Sequence, residues 1–172
     1  MKVLVLDHDG VICLSNNWGG RFKKVGFDSN PETPLDIRMD NFDVKAVKLL
    51  NSIIDITGCE VVISSDWKLQ GTLEQMKEMF ITRGIKPPID YTPNLKNFDE
   101  GKYHLLISTL DFEEIRVLEI KKYLEDHPEI THWVAVDDMD LSKLKNFVQT
   151  KRPYNEGIKQ SGVKDKIINF LT

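Results

Sequence analysis

Acidic residues with the spacing of a catalytic or metal-binding pair occur near the start of the chain. Residues 3–6 are apolar, and Asp7 and Asp9 follow them with only His8 between the two acids. Side chains two apart in an extended segment point to one side, so both carboxylates face together and His8 faces away. Gly10 then allows the backbone to turn sharply. A strand that merely ended in a turn would not need both acids.

Oxygen-bearing side chains also follow two later apolar segments. Ser64 and Ser65 end the second, and Asp137 and Asp138 end the fourth. Each pair alone is also typical of a turn or a helix cap. Ligands of open parallel α/β sheets bind at the carboxyl ends of the strands, where these residues would meet. Converging acids repel one another unless a cation such as Mg²⁺ binds them, so the pattern predicts a magnesium site and phosphoryl transfer.

The elements that would position these residues alternate along the chain. Strands are predicted at residues 2–7, 59–65, 89–93, 132–138 and 146–150, and helices at residues 43–58, 71–84, 112–127 and 163–172. The strands are continuously apolar, which is typical of a parallel sheet covered by helices on both faces. We therefore expect an α/β, Rossmann-like fold with a central parallel sheet of about five strands and no large cap.

Helical spacing supports the assignment of two of these helices. The apolar residues that recur at this spacing are Val44, Val47, Leu50 and Ile54 in the first helix, and Ile115, Leu118 and either Ile120 or Leu124 in the third. Two stretches do not fit the alternation of strands and helices. Residues 14–41 are predicted to form a surface excursion, and residues 93–110 a loop or insertion.

Composition restricts the class of protein. The 172 residues fit a single domain, and the formal net charge of −4 gives no overall basic field for nucleic acid or membranes. The first apolar run is interrupted by Asp7, which is typical of neither a signal peptide nor a spanning helix, so we expect a cytoplasmic protein without membrane partners. Cys13 and Cys59 lie beside apolar segments and are expected in the core.

Three segments in order, LDHDGVI, VVISS and VAVDD, resemble the first, second and fourth motifs of the haloacid dehalogenase (HAD) superfamily. The resemblance implies that Asp7 is a nucleophile that forms an aspartyl-phosphate and also binds Mg²⁺. It implies that Asp9 is the general acid and base, with its backbone carbonyl at the metal. Ser64 would bind the phosphoryl group. Asp138 would ligate the metal, with Asp137 supporting it or binding through water.

The third motif of that superfamily is a Lys or Arg that neutralises charge on the nucleophile and the phosphate. Arg116 has the best placement for this role, and Lys121, Lys122 and Lys102 are rivals. Superfamily members that cleave carbon–halogen bonds lack an acid at the position of Asp9. Since an alkoxide leaving group needs a proton, the resemblance favours phosphate monoester hydrolysis.

A narrower resemblance is to the small HAD domain of RNA-repair proteins. It is carried by SSDWK, YTP and RVLEI, although Lys68 replaces the usual Arg and residues 96–114 look like an insertion. That branch implies terminal phosphates of nucleic acids or nucleotides as substrates, with Ser65, Lys68 and Gly10 near the phosphate. Trp18, Arg21, Phe22, Lys23 and Lys24 would then form a basic, aromatic rim, or else anchor the loop.

Two other functions are compatible with these residues. One is the same chemistry on a small metabolite or a phosphoprotein. The other is a non-catalytic binding domain that keeps the HAD fold, although such a domain would not need to retain both Asp7 and Asp9.

Overall fold

Five parallel strands form one sheet in the computed structural model, which describes residues 1–14, 32–38, 42–95, 109–151 and 156–172. The strands are β1 (Lys2–Leu6), β2 (Glu60–Ile63), β3 (Asp90–Tyr91), β4 (His132–Asp137) and β5 (Phe147–Gln149). Their order across the sheet is β3-β2-β1-β4-β5. The predicted α/β fold with a five-stranded parallel sheet is confirmed.

Helices cover both faces of this sheet. The described helices are α1 (Leu35–Arg38), α2 (Val44–Thr57), α3 (Leu73–Thr82), α4 (Phe112–Asp126) and α5 (Val163–Leu171), with 3-10 turns at Asp66–Leu69 and Gly157–Lys159. One apolar core lies between the sheet and α2, α3 and α5. The other lies between the opposite face and α4. Asp43, Thr72 and Asp111 cap α2, α3 and α4 by accepting a backbone N–H in the first turn.

The alternation of side chains along β1 separates the two cores. Leu4 and Leu6 point into the core with α2, α3 and α5, whereas Val3 and Val5 point toward α4. The chain leaves β1 toward β2 on one side of the sheet and later returns to β4 on the other. The carboxyl ends of β1 and β4 therefore form the topological switch point, where ligands bind in open α/β sheets.

Burial differs from what the sequence pattern indicates at three residues. Val44 is 69% exposed, because the buried stripe of α2 begins at Ala46 and Val47 and Val44 lies at the exposed first position of the helix. Leu118 is only half-buried. Leu35, within the predicted surface excursion, is buried in the core. The rest of that excursion, residues 15–31 and 39–41, and residues 96–108 of the predicted insertion lie outside the described residues.

Cys13 and Cys59 are buried in the core, as expected. Within the described ranges, no helix combines the length and the apolar character needed to cross a membrane.

Candidate active site

Alternation along the strands brings three polar residues to one face of the sheet edge. Asp7, Ser64 and Asp137 share the parity of Val5, Val62 and Ala135, all of which pack toward α4. The backbone N–H of Asp7 donates to the carbonyl of Val136 over 3.0 Å, and that of Ser64 to the carbonyl of Leu6 over 3.0 Å. The parallel ladder thus continues to the site residues and fixes their backbones at one level of the sheet.

Three carboxylates meet at the ends of β1 and β4. Asp7, Asp137 and Asp138 each offer an oxygen, and these atoms lie within 4.8 Å of one another. Asp7 and Asp137 are buried, whereas Asp138 is half-buried. Carboxylate oxygens crowded in this way fit a hard divalent cation, which compensates their mutual repulsion. The side chain of Asp9 is not in this group, although it was predicted beside the other three.

Arg116 of α4 supplies the positive charge of the site. Its Nη1 donates to Asp137 Oδ2 over 3.0 Å and to Asp7 Oδ1 over 3.4 Å. Its Nη2 donates to Asp66 Oδ1 over 3.1 Å. Burial lowers the pKa of Arg116, but Asp7 and Asp137 more than offset this, so that the net pKa is raised. The guanidinium therefore stays charged and links α4 to the carboxylates of Asp7 and Asp137.

Burial dominates the titration of the buried carboxylates. It raises the pKa of Asp7 well above its ordinary value, and repulsion from Asp137 raises it further, against the lowering effect of Arg116. Burial likewise raises the pKa of Asp137 to about 6, against the lowering effect of Arg116. Without a cation, ionising these buried carboxyl groups costs free energy. A bound metal ion would reduce that cost.

The side chain of Asp9 contacts Trp67, which packs on the other face of the sheet, in the core with α2, α3 and α5. Its Oδ2 accepts a hydrogen bond of 3.1 Å from Trp67 Nε1. The indole of Trp67 stacks on His8, with ring centroids 4.6 Å apart and an interplanar angle of 7°. Phe42 and Phe80 contact His8 edge-on. His8 therefore faces away from the carboxylate group, as expected from its position between the two acids.

A buried ion pair lies below Arg116 on α4. Lys68 Nζ donates to Glu119 Oε2 over 2.6 Å, to Thr92 Oγ1 over 3.1 Å and to the carbonyl of Pro93 over 3.1 Å. The other carboxylate oxygen of Glu119 accepts the backbone N–H of Leu95. Burial lowers the pKa of Lys68, against the raising effect of Glu119. All three ammonium protons of Lys68 are thus donated within the protein.

The sequence matches a known family. A family model described as the HAD domain in Swiss Army Knife RNA repair proteins matches residues 3–161 of the 172. The chain belongs to this family. No curated protein and no solved structure matches the chain significantly.

The structure of this HAD domain bears on the choice of third-motif cation. Arg116 lies against Asp7, whereas Lys121 is exposed and Lys122 pairs with Asp126 on the outer side of the same helix. Lys102 lies outside the described residues. Among the described candidates, Arg116 is the one whose charge reaches the carboxylates.

The predicted phosphate-binding residues lie in different surroundings. Ser64 is buried, and its Oγ lies 3.4 Å from Thr92 Oγ1. The Oγ of Ser65 accepts the N–H of Trp67 and so caps the 3-10 turn. The N–H of Gly10 donates to the carbonyl of Cys13, at a φ of 77° that favours glycine. Lys68 and the N–H of Gly10 both donate to groups within the protein. Arg21 lies outside the described residues.

Sequence reasoning missed several residues of the HAD site. No role in the site was predicted for Asp66, Trp67, Thr92 or Glu119. One signal for Glu119 was available, because Arg116 and Glu119 are three apart and interrupt an apolar helical stripe that also contains Ile120 and Tyr123.

A cavity of about 290 Å³ opens beside Arg116, on the α4 side of the site. Its walls combine the charged groups of Asp66 and Arg116 with apolar side chains, which include Leu69, Phe112, Ile115 and Met139. Leu69 and Phe112 are 51% and 69% exposed. The cavity therefore presents an exposed apolar surface beside Arg116.

Proposed function

We propose that this HAD domain is a Mg²⁺-dependent phosphomonoesterase that acts through an aspartyl-phosphate on Asp7. The observation that carries the proposal is the cluster of the Asp7, Asp137 and Asp138 carboxylates, of which the first two are buried, with the guanidinium of Arg116 against Asp7 and Asp137. Phosphoryl transfer depends mainly on positioning and on neutralising the charge of the phosphoryl oxygens. A cation-binding group beside a fixed arginine supplies both.

The metal would be held by Asp7 and Asp138, with Asp137 as a further ligand or as a support for the other two. Asp137 is engaged by Arg116 and by the N–H of Met139, which favours the supporting role. Bound Mg²⁺ would neutralise charge on the phosphoryl oxygens.

Two bond exchanges complete the reaction. In the first, a carboxylate oxygen of Asp7 attacks phosphorus, the ester P–O bond breaks, and the leaving oxygen takes a proton from Asp9. In the second, Asp9 takes a proton from water as the water oxygen attacks phosphorus, and the P–O bond to Asp7 breaks to release phosphate. Ser64 and Arg116 would hold the phosphoryl oxygens through both exchanges.

The proposed substrates are phosphorylated ends of nucleic acids or nucleotides. The description of the matched family names RNA repair proteins. The apolar walls of the cavity beside Arg116 suit the organic part of such a substrate, because nucleobases stack on exposed aromatic rings such as Phe112.

Hydrolysis by the purified protein tests this proposal. We expect turnover of p-nitrophenyl phosphate in Mg²⁺, loss of turnover in EDTA, and loss of at least about 10³-fold in Asp7→Asn, because the amide is not a nucleophile. Oligonucleotides with 3′- or 5′-phosphates, assayed beside sugar phosphates, identify the substrate class. Undiminished turnover in EDTA would contradict the metal role, and an active Asp7→Asn would contradict the covalent route.

A readout without turnover accompanies these assays. We expect Mg²⁺ to raise the melting temperature of the wild type and to have little effect on Asp138→Asn. Equal Mg²⁺ shifts in both proteins would place the metal elsewhere.

A further inference from the structure

A single hydrogen bond connects the proposed acid to a residue without a role in the two bond exchanges. Trp67 Nε1 donates to Asp9 Oδ2 over 3.1 Å. Trp67 belongs to the 3-10 turn that directly follows Ser64 and Ser65, and it is only 5% exposed. The bond thus joins the loop after β1 to the loop after β2 at the edge where the site lies.

The donor of this bond is held in place from several directions. The indole stacks in parallel on His8, which lies between the two acids of the first motif. Phe42 meets the indole edge-on at 5.8 Å, and the backbone N–H of Trp67 donates to Ser65 Oγ. A carboxylate bonded to such a fixed donor loses much of its rotational freedom. Preorganised support of this kind sets the orientation of a reacting group.

We propose that Trp67 is a positioning residue that orients the carboxyl group of Asp9 for proton transfer to the leaving oxygen. The inference rests on the proposed function. Trp67 binds one carboxyl oxygen, so that the proton passes from the other oxygen of Asp9 to the oxygen of the breaking P–O bond. Trp67 itself exchanges no proton in either step.

The dependence of the rate on the leaving group tests this role. A nitrophenolate departs without a proton, whereas an alkoxide needs one, so only the alkyl ester depends on Asp9 in the first exchange. The quantity to compare is kcat/KM, which reports steps up to departure of the leaving group. We expect the ratio of kcat/KM for p-nitrophenyl phosphate to that for an alkyl phosphate to rise about tenfold in Trp67→Phe.

Trp133→Phe is the matched control, because Trp133 packs against the α4 core. Its ratio should equal that of the wild type. A ratio in Trp67→Phe within about twofold of the wild type would overturn the inference, since a merely structural loss lowers kcat/KM for both esters alike. If the wild type hydrolyses both esters and only this ratio fails to change, the proposed function stands and the inference alone falls.

A second measurement does not require turnover or a folded Trp67 variant. In ¹⁵N-labelled protein, the indole N–H of Trp67 should shift and exchange faster with solvent in Asp9→Ala, by about tenfold, while that of Trp133 stays unchanged. An unchanged Trp67 resonance would overturn the inference even in a protein that hydrolyses no phosphate ester. Absence of hydrolysis by the wild type would contradict the proposed function and with it the role in proton transfer, whereas the resonance of Trp67 would still report whether its bond to Asp9 forms.

Discussion

Asp7 and His8 are neighbours in the chain, but their side chains enter opposite faces of the sheet and meet different surroundings. Asp7 faces α4, where every buried charge has a partner of opposite sign close by. His8 faces α2 and α3, where aromatic rings surround it, and among the described residues neither ring nitrogen has a hydrogen-bond partner. Burial raises the pKa of Asp7 and lowers that of His8 to about 3.

The comparison shows how one strand can serve two purposes. The α4 face holds charges at a cost that ion pairing offsets, and there the chemistry is expected. The rings on the other face pack around the neutral imidazole of His8 and fix the backbone of the same loop. Variants on the two faces should therefore have different effects. These range from a large loss of turnover to a small change in substrate affinity.

The largest effect is expected for the cation of the α4 face. Arg116→Met should lower kcat by about 10³-fold, because the charge on the phosphoryl group and Asp7 loses its fixed partner. The kcat of Arg116→Lys should lie between those of Arg116→Met and the wild type, because lysine keeps the positive charge but lacks the paired N–H donors of arginine. The measurement is steady-state hydrolysis of p-nitrophenyl phosphate.

Lys121→Met is the control on the same helix, because Lys121 is exposed. It should keep the wild-type kcat. If Arg116→Met also stayed within threefold of the wild type, Arg116 would not be the third-motif cation.

The next effect concerns stability on the same face. Lys68→Met should lower the free energy of unfolding by about 3 kcal/mol, because it leaves the carboxylate of Glu119 buried without a counter-ion. Adding Glu119→Gln removes that charge and keeps an acceptor for the N–H of Leu95, so the double variant should recover most of the loss. Urea unfolding measures both. A single variant as stable as the wild type would show that the pair does not hold α4 in place.

The aromatic face should respond mainly to pH. Below about pH 6.5 the unfolded chain binds a proton at His8, whereas the folded protein, with the pKa of His8 lowered to about 3, does not. The free energy of unfolding therefore loses about 1.4 kcal/mol per pH unit at this residue as the pH falls. In His8→Phe this loss disappears, so the variant should gain about 2 kcal/mol relative to the wild type between pH 6.5 and pH 5.

Urea unfolding at the two pH values checks this expectation, with His132→Phe as an exposed control. The raised pKa values of Asp7 and Asp137 act in the opposite direction, because the folded protein then binds protons that the unfolded chain does not. Both residues are present in all three proteins and cancel in the difference. A pH-independent difference between His8→Phe and the wild type would contradict the neutral, buried state of His8.

The smallest effect is expected at the rim of the cavity on the α4 side. Phe112→Ala should raise KM for a phosphorylated oligonucleotide about fivefold, because a stacking surface is lost, and should leave KM for glycerol phosphate nearly unchanged. Ile81→Ala, which removes a similarly exposed side chain from α3, is the control. Equal KM changes for both substrates would show that the cavity does not hold the organic group.

Much of the fold could be predicted from the sequence, because continuous apolar runs and helical spacing are local signals. All five predicted strands and the four long helices are present within the described residues. Local signals did not indicate side-chain burial correctly where tertiary packing determines it. Val44 is exposed and Leu35 is buried, for example.

Part of the site could also be predicted, because strand ends and side-chain alternation are local signals. The positions of Asp7, Ser64 and Asp137 at the sheet edge follow from strand parity, which the sequence displays. The Lys68–Glu119 pair and the bond between Trp67 and Asp9 join segments 51 and 58 residues apart, and no local pattern specifies them. The choice of Arg116 over other cations likewise depends on how α4 packs on the sheet.

The most direct test of the central claim is a crystal structure with Mg²⁺ and beryllium fluoride, a mimic of a phosphoryl group on a carboxylate. We expect the beryllium on a carboxylate oxygen of Asp7, Mg²⁺ against Asp7 and Asp138, and the fluorides within hydrogen-bond distance of Ser64 and Arg116. Beryllium fluoride on another residue, or a metal remote from Asp7 and Asp138, would contradict the assignment of Asp7 as the nucleophile of a metal-dependent site.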